Sequence, residues 1–522
     1  MSAARVLWFK SAALIALAVM GSCSVQPDDD PSPPAIDDAV VSVALTSIDS
    51  LDPARGSSYS ALMILRTACD GLTAIDSEGE TRRALASRWR VSNAGSMVTF
   101  ELEDDVHFLD GTPVTAQSVA ESLSRITRPE TSSPWASLLS EVEGFAEVAS
   151  GAATSLSGLR APDTNTLEVV LTNPFADLPK LLAHPAFVPV SVGAEGKVTC
   201  SGPYEIQEPA GGEVVLERAS GADRGLLKTI HFKVTDTPDD AYRLFQEEQV
   251  GASVVPDAAV GEASSVRRGY LRAETPEITF LAMDITKPPT DNERLRQAVS
   301  LALDRLATID ATFGDQRPPA VRWIPGTQGD GGSCSDLIRR ISDPGRARQL
   351  MGESGVDLSG VQLPFYFDQT KTGRLVVQAI EVQIADGLGL RLTPSPHDPP
   401  GMDASIAARV GAGVWMLSYG QELPLPGLVL DALFRTGSSA NRLGFSDPAV
   451  DEALAEARRS EDSAERERAY LEAESLICQR MPAVPLWRGV RHWAFDPAKL
   501  VFEGSDGVDS AGGMMLRDAR VP

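Results

Sequence analysis

The residue types that most often carry catalysis or bind metals are present in this chain, but they do not form a motif. Five histidines stand singly, each without a second ligand or a nucleophile at a recognised spacing: His107, His184, His231, His397 and His492. The sequence has no G-x-S-x-G turn for a serine nucleophile, no H-E-x-x-H helix for zinc and no glycine loop for phosphate. We therefore expect no enzymatic activity, no metal site and no cofactor.

The first 23 residues have the features of an export signal. Arg5 and Lys10 supply a positive start, and Ala12–Met20 is an uninterrupted apolar run. This run is shorter than the roughly 20 residues that a membrane-spanning helix needs, but it suits a signal peptide over residues 1–22. The stretch that ends at Cys23 resembles a bacterial lipobox, which predicts a lipid on Cys23 and attachment to the outer face of the cell membrane. Ordinary cleavage near the same point, giving a freely secreted protein, is the alternative.

An exported chain can form disulfides. Four cysteines follow Cys23, with no C-x-x-C pair and no histidine at ligand spacing: Cys69, Cys200, Cys334 and Cys478. They predict two disulfides, and the sequence leaves all three possible pairings open.

The composition is that of a soluble globular protein with two or three domains. The chain has 522 residues, of which 43% are hydrophobic and 23% are charged. Acidic residues outnumber basic ones by 72 to 47, which gives a formal charge of −25. Nucleic-acid binding requires clustered Lys and Arg, so this charge argues against a nucleic-acid partner.

Beyond the signal peptide, the sequence pattern predicts a mixed α/β protein. Residues 23–39 are rich in Pro and Asp and predict a flexible tether behind the lipid. Apolar runs predict strands at 40–46, 98–103, 167–172, 213–217, 230–234 and 361–367. Helical patterns and capping residues predict a helix after Thr115, one helix over 291–309 capped by Asp291, another over 374–388 and a helical hairpin over 448–479. Alternating strands and helices favour α/β domains over a sandwich or a helical bundle.

Motifs in a fixed order along the chain resemble those of the extracellular solute-binding proteins of ABC importers, family 5, the oligopeptide, dipeptide and nickel-binding type. The resemblance covers about residues 40–505. The matching segments are Leu51–Pro53, Cys69–Leu72, Leu85–Trp89, Val106–Ala116, Ser201–Tyr204, Pro288–Ala298, Asp304–Arg305, Phe445–Asp451 and Met481–Leu486.

The resemblance implies a periplasmic-binding-protein type II-like α/β fold, with two lobes joined by a hinge and an extra domain inserted in the first lobe. It places lobe 1 at 40–72, 197–275 and 491–522, the inserted domain at 73–196, and lobe 2 at 276–490. Such proteins hold a ligand between the lobes and close around it. The implied partners are a peptide or other small polar ligand and the permease and ATPase subunits of an ABC importer, with the binding protein itself a monomer.

The resemblance also marks a ligand-binding segment, Trp415–Tyr419, followed by Glu422. Peptide-binding relatives read roughly Trp-x-x-Asp-Tyr here, and the Asp pairs with the α-ammonium of the peptide. In this chain that position is Ser418, whose neutral hydrogen bond is about half as strong as a charge-assisted one. Either Glu422 supplies the charge or the ligand lacks a free amine, and we favour the second. Trp415 and Tyr419 would give flat apolar walls, unless Trp415 belongs to the core.

Two further residues are candidates for ligand contact. Arg435 could meet a carboxylate through its guanidinium fork, or it could lie on the surface. Tyr59 could form the opposite wall of the cleft. The alternative to transport is a cell-envelope sensor or scaffold that keeps the fold, while a metal complex ranks third among ligands because no set of metal ligands is evident.

Overall fold

Strands and helices alternate along the part of the chain that the computed structural model describes. The described residues are 39–522 without 77–78, 194–195, 266–268, 315–316, 326–333, 409–412, 421–422, 443 and 503–505. All of them belong to one unit of the chain, Asp37–Pro522. The predicted signal peptide, Cys23 and nearly all of the predicted tether lie outside the described residues.

Most of the strands and helices are short, and they are numbered in chain order. The strands are β1 (Val40–Thr46), β2 (Thr73–Ile75), β3 (Thr81–Arg83), β4 (Ala86–Ser92), β5 (Met97–Leu102), β6 (Leu159–Arg160), β7 (Thr166–Val170), β8 (Val190–Val192), β9 (Val198–Cys200), β10 (Tyr204–Ile206), β11 (Glu213–Arg218), β12 (Thr229–Thr235), β13 (Ala252–Val254), β14 (Gly269–Met283), β15 (Gln362–Asp368), β16 (Arg391–His397), β17 (Val414–Tyr419), β18 (Ala483–Phe495), β19 (Val501–Phe502) and β20 (Ala519–Arg520). The helices are α1 (Tyr59–Ala68), α2 (Ala116–Thr127), α3 (Phe145–Ala149), α4 (Leu178–Leu181), α5 (Pro238–Gln246), α6 (Val260–Ser265), α7 (Glu293–Ala302), α8 (Arg305–Phe313), α9 (Pro344–Ser354), α10 (Lys371–Leu388), α11 (Pro399–Ala408), α12 (Pro426–Phe434), α13 (Pro448–Arg459) and α14 (Ser463–Arg480).

One ten-stranded mixed sheet runs through both lobes. Its strand order is β10-β11-β12-β1-β13-β18-β14-β17-β15-β16. The two central strands are the longest, with 15 residues in β14 and 13 in β18. One half of their antiparallel ladder, Gly269–Glu274 with Val490–Phe495, adjoins β13, and the other half, Ile278–Ala282 with Ala483–Arg488, adjoins β17. The sheet thus consists of two half-sheets that share β14 and β18. We call the point where these two strands pass from one half-sheet to the other the crossing.

Prolines mark the places where this shared ladder is irregular. The register of β14 against β18 shifts between Glu274 and Ile278, a stretch that contains Pro276, and again beside Pro485. Proline has no N–H to donate to a ladder, so inside a sheet it is confined to edges and bulges. The first shift therefore falls where the chain passes from one half-sheet to the other.

Separate hydrophobic cores lie on the two sides of this crossing and in the inserted region. The first-lobe core surrounds Trp493, the second-lobe core surrounds Trp323, and a third core around Phe100 is built almost entirely from residues 54–187. Leu423 and Leu425 of the second lobe also pack into the third core, so this loop connects the second lobe to the inserted region.

Two disulfides staple distant parts of the chain. Cys69, which follows α1, is bonded to Cys200 of β9, and Cys334 is bonded to Cys478 of α14. Of the three pairings that the sequence left open, the structure has this one.

The predicted single helix over 291–309 was wrong, because the chain breaks it into α7 and α8. Leu303 is extended at φ −82° and ψ 122°, and Asp304 caps α8 by accepting from the Ala307 N–H at 2.8 Å. The cap of α7 is also not Asp291 but Asn292, whose Oδ1 accepts from the Leu295 N–H at 3.2 Å. Thr115 does cap α2, as predicted, by accepting from the Ser118 N–H at 3.1 Å.

Candidate functional site

The end of strand β17 brings exposed polar groups to the point where β14 and β18 pass from one half-sheet to the other. Strand β17 runs antiparallel to β14 and ends there, with Tyr419 opposite Ile278 and Ser418 opposite Thr279. Because side chains alternate along a strand, Trp415 and Tyr419 point to one face of the sheet and Ser418 points to the other. The predicted ligand segment therefore divides between two environments.

Ser418 lies on the exposed end of β17. Its Oγ is 2.8 Å from Oγ1 of Thr279, and either hydroxyl can be the donor. Thr279 is buried, whereas Ser418 and the following Gly420 are exposed. At this position the strand thus offers a neutral hydroxyl pair to a ligand.

Trp415 and Tyr419 face the second-lobe core. The Trp415 ring is 5% exposed, stacks on Tyr366 at 5.2 Å between centroids, and donates its Nε1–H to Ser405 Oγ at 3.1 Å. Tyr419 is half-buried and donates its hydroxyl to the carbonyl of Leu428 at 3.1 Å. Trp415 thus packs as a core residue, the arrangement that the sequence left open beside the ligand wall. Glu422 lies outside the described residues.

Tyr59 and Arg491 approach the crossing from the first lobe. Tyr59 is the first residue of α1 and donates its hydroxyl to the Gly512 carbonyl at 2.7 Å. The guanidinium carbon of Arg491 lies 3.4 Å from the Tyr59 ring centroid, which is a close cation–π contact. Arg491 of β18 was not among the residues singled out from the sequence.

Glu277 and Thr275 were also missed, although both lie at the register shift of β14. A Cβ added to Gly420 would lie 3.4 Å from Cβ and Cγ of Glu277, so the Glu277 side chain covers the Gly420 side of β17. A Cβ added to Gly489 would lie 2.3 Å from Thr275 Oγ1 and 3.0 Å from Glu277 Cβ. No local pattern marks either residue, because the strand register that places Glu277 beside Gly420 cannot be read from local sequence.

A pocket of about 150 Å³ is lined by residues of the first lobe, residues of the inserted region and Leu423. Met63 and Met514 give it an apolar wall, and the ion pair of Arg66 with Asp509 gives it a polar one. Asp509 also accepts from the backbone N–H groups of Ala511 and Gly513, at 2.9 and 2.7 Å, which fixes the loop next to Gly512. This pocket could accept an apolar group of a ligand held at the crossing.

Arg435 belongs to a different part of the structure. Its guanidinium lies 3.9 Å from carboxylate oxygens of Glu141 and Asp431, and both of these carboxylates also pair with Arg458 at 2.9 Å. Burial raises the pKa of Asp431, and the charge of Arg458 opposes that rise. The group joins the inserted region to the second lobe, so the structure places Arg435 among the protein's own carboxylates.

A wider cavity, about 1040 Å³, separates the inserted region from α14. Three of its polar lining residues are paired with each other. Arg466 Nε lies 2.7 Å from Asp177 Oδ1, and Tyr470 donates its hydroxyl to Asp177 Oδ2 at 3.0 Å. These contacts hold the two regions together.

Metal-binding clusters and membrane-spanning helices are both absent from the described part of the chain. Its residues include no group of three or more His, Cys, Asp or Glu side chains placed to hold a metal ion. Nor does any helix among them have both the length and the apolar character to cross a membrane.

Two half-sheets joined by a pair of crossing strands, with exposed polar groups at the crossing, define a two-lobed binding protein of the periplasmic type II-like class. The profile of the bacterial extracellular solute-binding proteins, family 5 (middle region), matches residues 80–441, which is more than half of the chain. The chain belongs to this family.

Relatives and solved structures agree with this assignment over nearly the whole chain. The glutathione-binding protein GsiB of Escherichia coli O157:H7 is 26% identical over 498 residues, covering 90% of this chain and 91% of that protein. The probable deoxycholate-binding periplasmic protein YgiS of Escherichia coli K12 is 23% identical over 464 residues, covering 84% and 85%.

Among solved structures, the unliganded open form of MppA, a murein tripeptide binding protein of Escherichia coli, superposes with a TM-score of 0.80 at 21% identity, covering 93% of this chain and 97% of that one. Haemophilus influenzae OppA, in complex with the peptide RPPGFSPFR, gives a TM-score of 0.69 at 20% identity, covering 93% and 99%. These superpositions confirm the predicted fold class.

Proposed function

We propose that this protein is the substrate-binding subunit of an ABC importer, which captures a peptide or a peptide-sized polar solute between its lobes and delivers it to a membrane permease. The observation that carries the proposal is the crossing of β14 and β18, where the ladder is interrupted at Thr275–Glu277 and the exposed Ser418 and Gly420 lie beside it at the end of β17. A joint made of two strands lets the lobes move relative to each other. A ligand closes such a joint only if it binds the closed form more tightly than the open one.

The names of the relatives indicate the size and polarity of the ligand. GsiB is named for glutathione, MppA for a murein tripeptide, and OppA was solved with a nine-residue peptide. YgiS is named for deoxycholate, a sterol acid, so membership of the family does not fix the ligand. The mixed polar and apolar lining of the pocket beside Arg66 fits a small peptide better than a sterol.

Titration of ligand-free protein tests the proposal. The chain from residue 24 onward would be unfolded in urea, dialysed to remove co-purified solutes and refolded, then mixed with di- and tripeptides, glutathione and deoxycholate. Binding of at least one solute should increase the free energy of unfolding by RT ln(1 + [L]/Kd). The melting temperature should therefore rise, and tryptophan fluorescence should change. A protein that responds to none of these solutes, and whose small-angle scattering profile never becomes more compact, would contradict the proposal.

Export and lipid anchoring complete the proposed cellular role. The family is extracytoplasmic, and the lipobox-like segment before Cys23 supports attachment to the outer face of the membrane. Mass spectrometry of the native N-terminal peptide should show a lipidated Cys23, and Cys23→Ala should move the protein from the membrane fraction to the soluble one. In solution the soluble body should be a monomer by light scattering, without catalytic activity.

A sensor or scaffold that has lost transport is the second candidate, because Ser418 stands where peptide-binding relatives carry an aspartate. Uptake distinguishes the two functions. Deletion of the gene should abolish import of the solute that the purified protein binds, whereas a sensor would bind the solute and leave its import unchanged.

A further inference from the structure

A row of polar side chains crosses from the second lobe to the first along one face of the β14–β18 joint. We call it the crossing row, and its members are Ser418, Thr279, Glu277, Thr275 and Arg491. Glu277 and Thr275 both face the Cα of Gly489, and Thr275 and Arg491 both face the Cα of Gly512. Gly489 and Arg491 are two residues apart in β18 and so point to the same face.

Glu277 contributes a carboxylate that the protein leaves without a counter-ion. The side chain is half-buried, yet among the described residues it makes no ion pair within 4.0 Å and no side-chain hydrogen bond. It packs on the bare Cα of Gly420, two positions beyond Ser418, whose hydroxyl is paired with that of Thr279. Together these groups form a site of one negative charge flanked by hydroxyl acceptors, which suits an ammonium group.

Arg491 contributes the opposite charge at the other end of the row. Its guanidinium lies on the Tyr59 ring, and its Nε is buried without a hydrogen-bond partner among the described residues. No carboxylate of the described residues lies within ion-pair distance of it. A planar guanidinium with unused donors is the group that proteins use to hold a carboxylate.

Thr275 packs between these two charged side chains, against Gly489 on one side and Gly512 on the other. It is 8% exposed, and its Oγ1 has no hydrogen-bond partner among the described residues. Native structures seldom leave a buried hydroxyl unpaired, because the group has lost its hydrogen bonds to water without replacement. The atom packs so closely on Gly489 that an added methyl would lie 2.3 Å from it, so Thr275 separates the two charged side chains and is not itself a ligand contact.

We propose that the crossing row binds a small zwitterion, a free amino acid or a short peptide, with its ammonium on Glu277 and the Thr279–Ser418 hydroxyls and its carboxylate on Arg491. This inference rests on the proposed function and names its substrate class. Glu277 faces Gly489, and Arg491 is two positions further along β18, about 7 Å along the strand, so the two charges are spaced for a compact ligand. Neither Glu422 nor the loss of a free amine is then needed to account for Ser418, because Glu277 supplies the negative charge.

The test uses probes that differ by one charge each. Alanine, Ala-Ala and tri-alanine with free termini would be titrated into the ligand-free protein by calorimetry, beside the N-acetyl and the C-amide forms of Ala-Ala and tri-alanine. At least one free-terminus probe should bind the wild type, and blocking either of its ends should weaken binding tenfold or more. In Glu277→Gln the acetyl block should no longer matter, and in Arg491→Gln the amide block should no longer matter.

Control variants, together with titrations of wild type with the free and blocked probes, separate this proposal from its alternatives. Glu274→Gln and Arg272→Gln remove the same charges from exposed neighbours on β14 and should leave affinity within twofold. Blocked probes that bind wild type as tightly as the free ones, or Glu277→Gln and Arg491→Gln proteins that bind like wild type, would overturn the proposal. If the wild type binds only uncharged or blocked solutes, this inference fails and the proposed function stands, whereas a protein that binds no solute at all refutes both.

Discussion

The hydroxyls of Thr279 and Ser418 meet across strands β14 and β17 with their oxygens 2.8 Å apart. One hydroxyl donates to the other, so the pair keeps one proton and several lone pairs for a ligand. Thr279 is buried and holds the geometry, while Ser418 is on the exposed side. The pair thus presents a fixed neutral hydrogen-bonding group two positions before Gly420, on which Glu277 packs.

Ser418→Asp should strengthen binding of a free-amine ligand. The new carboxylate would place a second negative charge at the exposed end of β17, and a hydrogen bond to a charged group is about 1 kcal/mol better than a neutral one. We expect roughly a fivefold gain in affinity for a free-amine peptide. Calorimetry with tri-alanine, or with whichever free-amine peptide binds wild type, measures the change.

Ser418→Asn is the control for size and hydrogen bonding without charge, and it should stay near wild type. Affinity of Ser418→Asp equal to that of Ser418→Asn would show that no ammonium lies near this strand end.

Gly489→Ala should impair both stability and binding. The added methyl would lie 2.3 Å from Thr275 Oγ1 and 3.0 Å from Glu277 Cβ, so the two crossing strands must shift. Overpacking of this kind costs about 1–3 kcal/mol. Urea unfolding should show the loss of stability, and a titration should show weaker binding.

Gly420→Ala tests the same chemistry on the neighbouring strand, where the methyl would make an ordinary 3.4 Å contact with Glu277. This variant should keep wild-type stability. If Gly489→Ala were equally stable, the close packing at the crossing would be disproved.

Much of the fold could be predicted because it is encoded locally. The strand over 40–46 matches β1, and the helix over 374–388 lies within α10, since apolar periodicity and turn residues set both. The single helix over 291–309 was wrong because Asp304 caps α8, and Arg305, which is 1% exposed, fixes the break by donating to the carbonyls of Pro485 and Arg339 at 2.7 and 2.9 Å. Those partners are distant in sequence.

The candidate site was harder to predict for the same reason. The segment around Ser418 could be found by resemblance to the family, but the side chains that surround it depend on the pairing of β14 with both β17 and β18. That pairing joins residues more than one hundred positions apart, so Glu277 and Arg491 carried no local signal. Trp415 shows the converse, since an aromatic residue in a binding motif packs in the core.

Removing the disulfides should destabilise the protein markedly. Cys69 and Cys200 are separated by 131 residues, and Cys334 and Cys478 by 144. Cross-links that close loops of this length stabilise by about 2–5 kcal/mol, largely by restricting the unfolded chain. Cys69→Ala/Cys200→Ala and Cys334→Ala/Cys478→Ala should each lower the free energy of unfolding by that amount.

Reducing agent gives the internal check on these two variants. Treatment of wild type with dithiothreitol should lower its melting temperature, and each double variant should lose less on reduction than wild type does. Wild type that melts at the same temperature in both conditions would contradict a structural role for the bonds.

His184 should make stability depend on pH below neutrality. Its ring is buried against Trp135, and its Nδ1 accepts from the Ala186 N–H at 3.1 Å, so the neutral form carries its proton on Nε2. Burial, helped by the positive charge of Arg66, lowers the pKa of His184 to about 3. The unfolded chain takes up a proton near pH 6.5, whereas the folded protein does not.

The sign follows from this difference in proton uptake. The stability contributed by neutral His184 is fully present above about pH 6.5 and is lost as the pH falls toward 3, at up to about 1.4 kcal/mol per pH unit. Between pH 7 and pH 5, His184→Asn should therefore lose about 2 kcal/mol less stability than wild type. His107→Asn makes the same substitution at an exposed histidine and serves as the matched control. Urea unfolding at the two pH values measures both, and parallel slopes in wild type and His184→Asn would mean that His184 is not held neutral in the folded state.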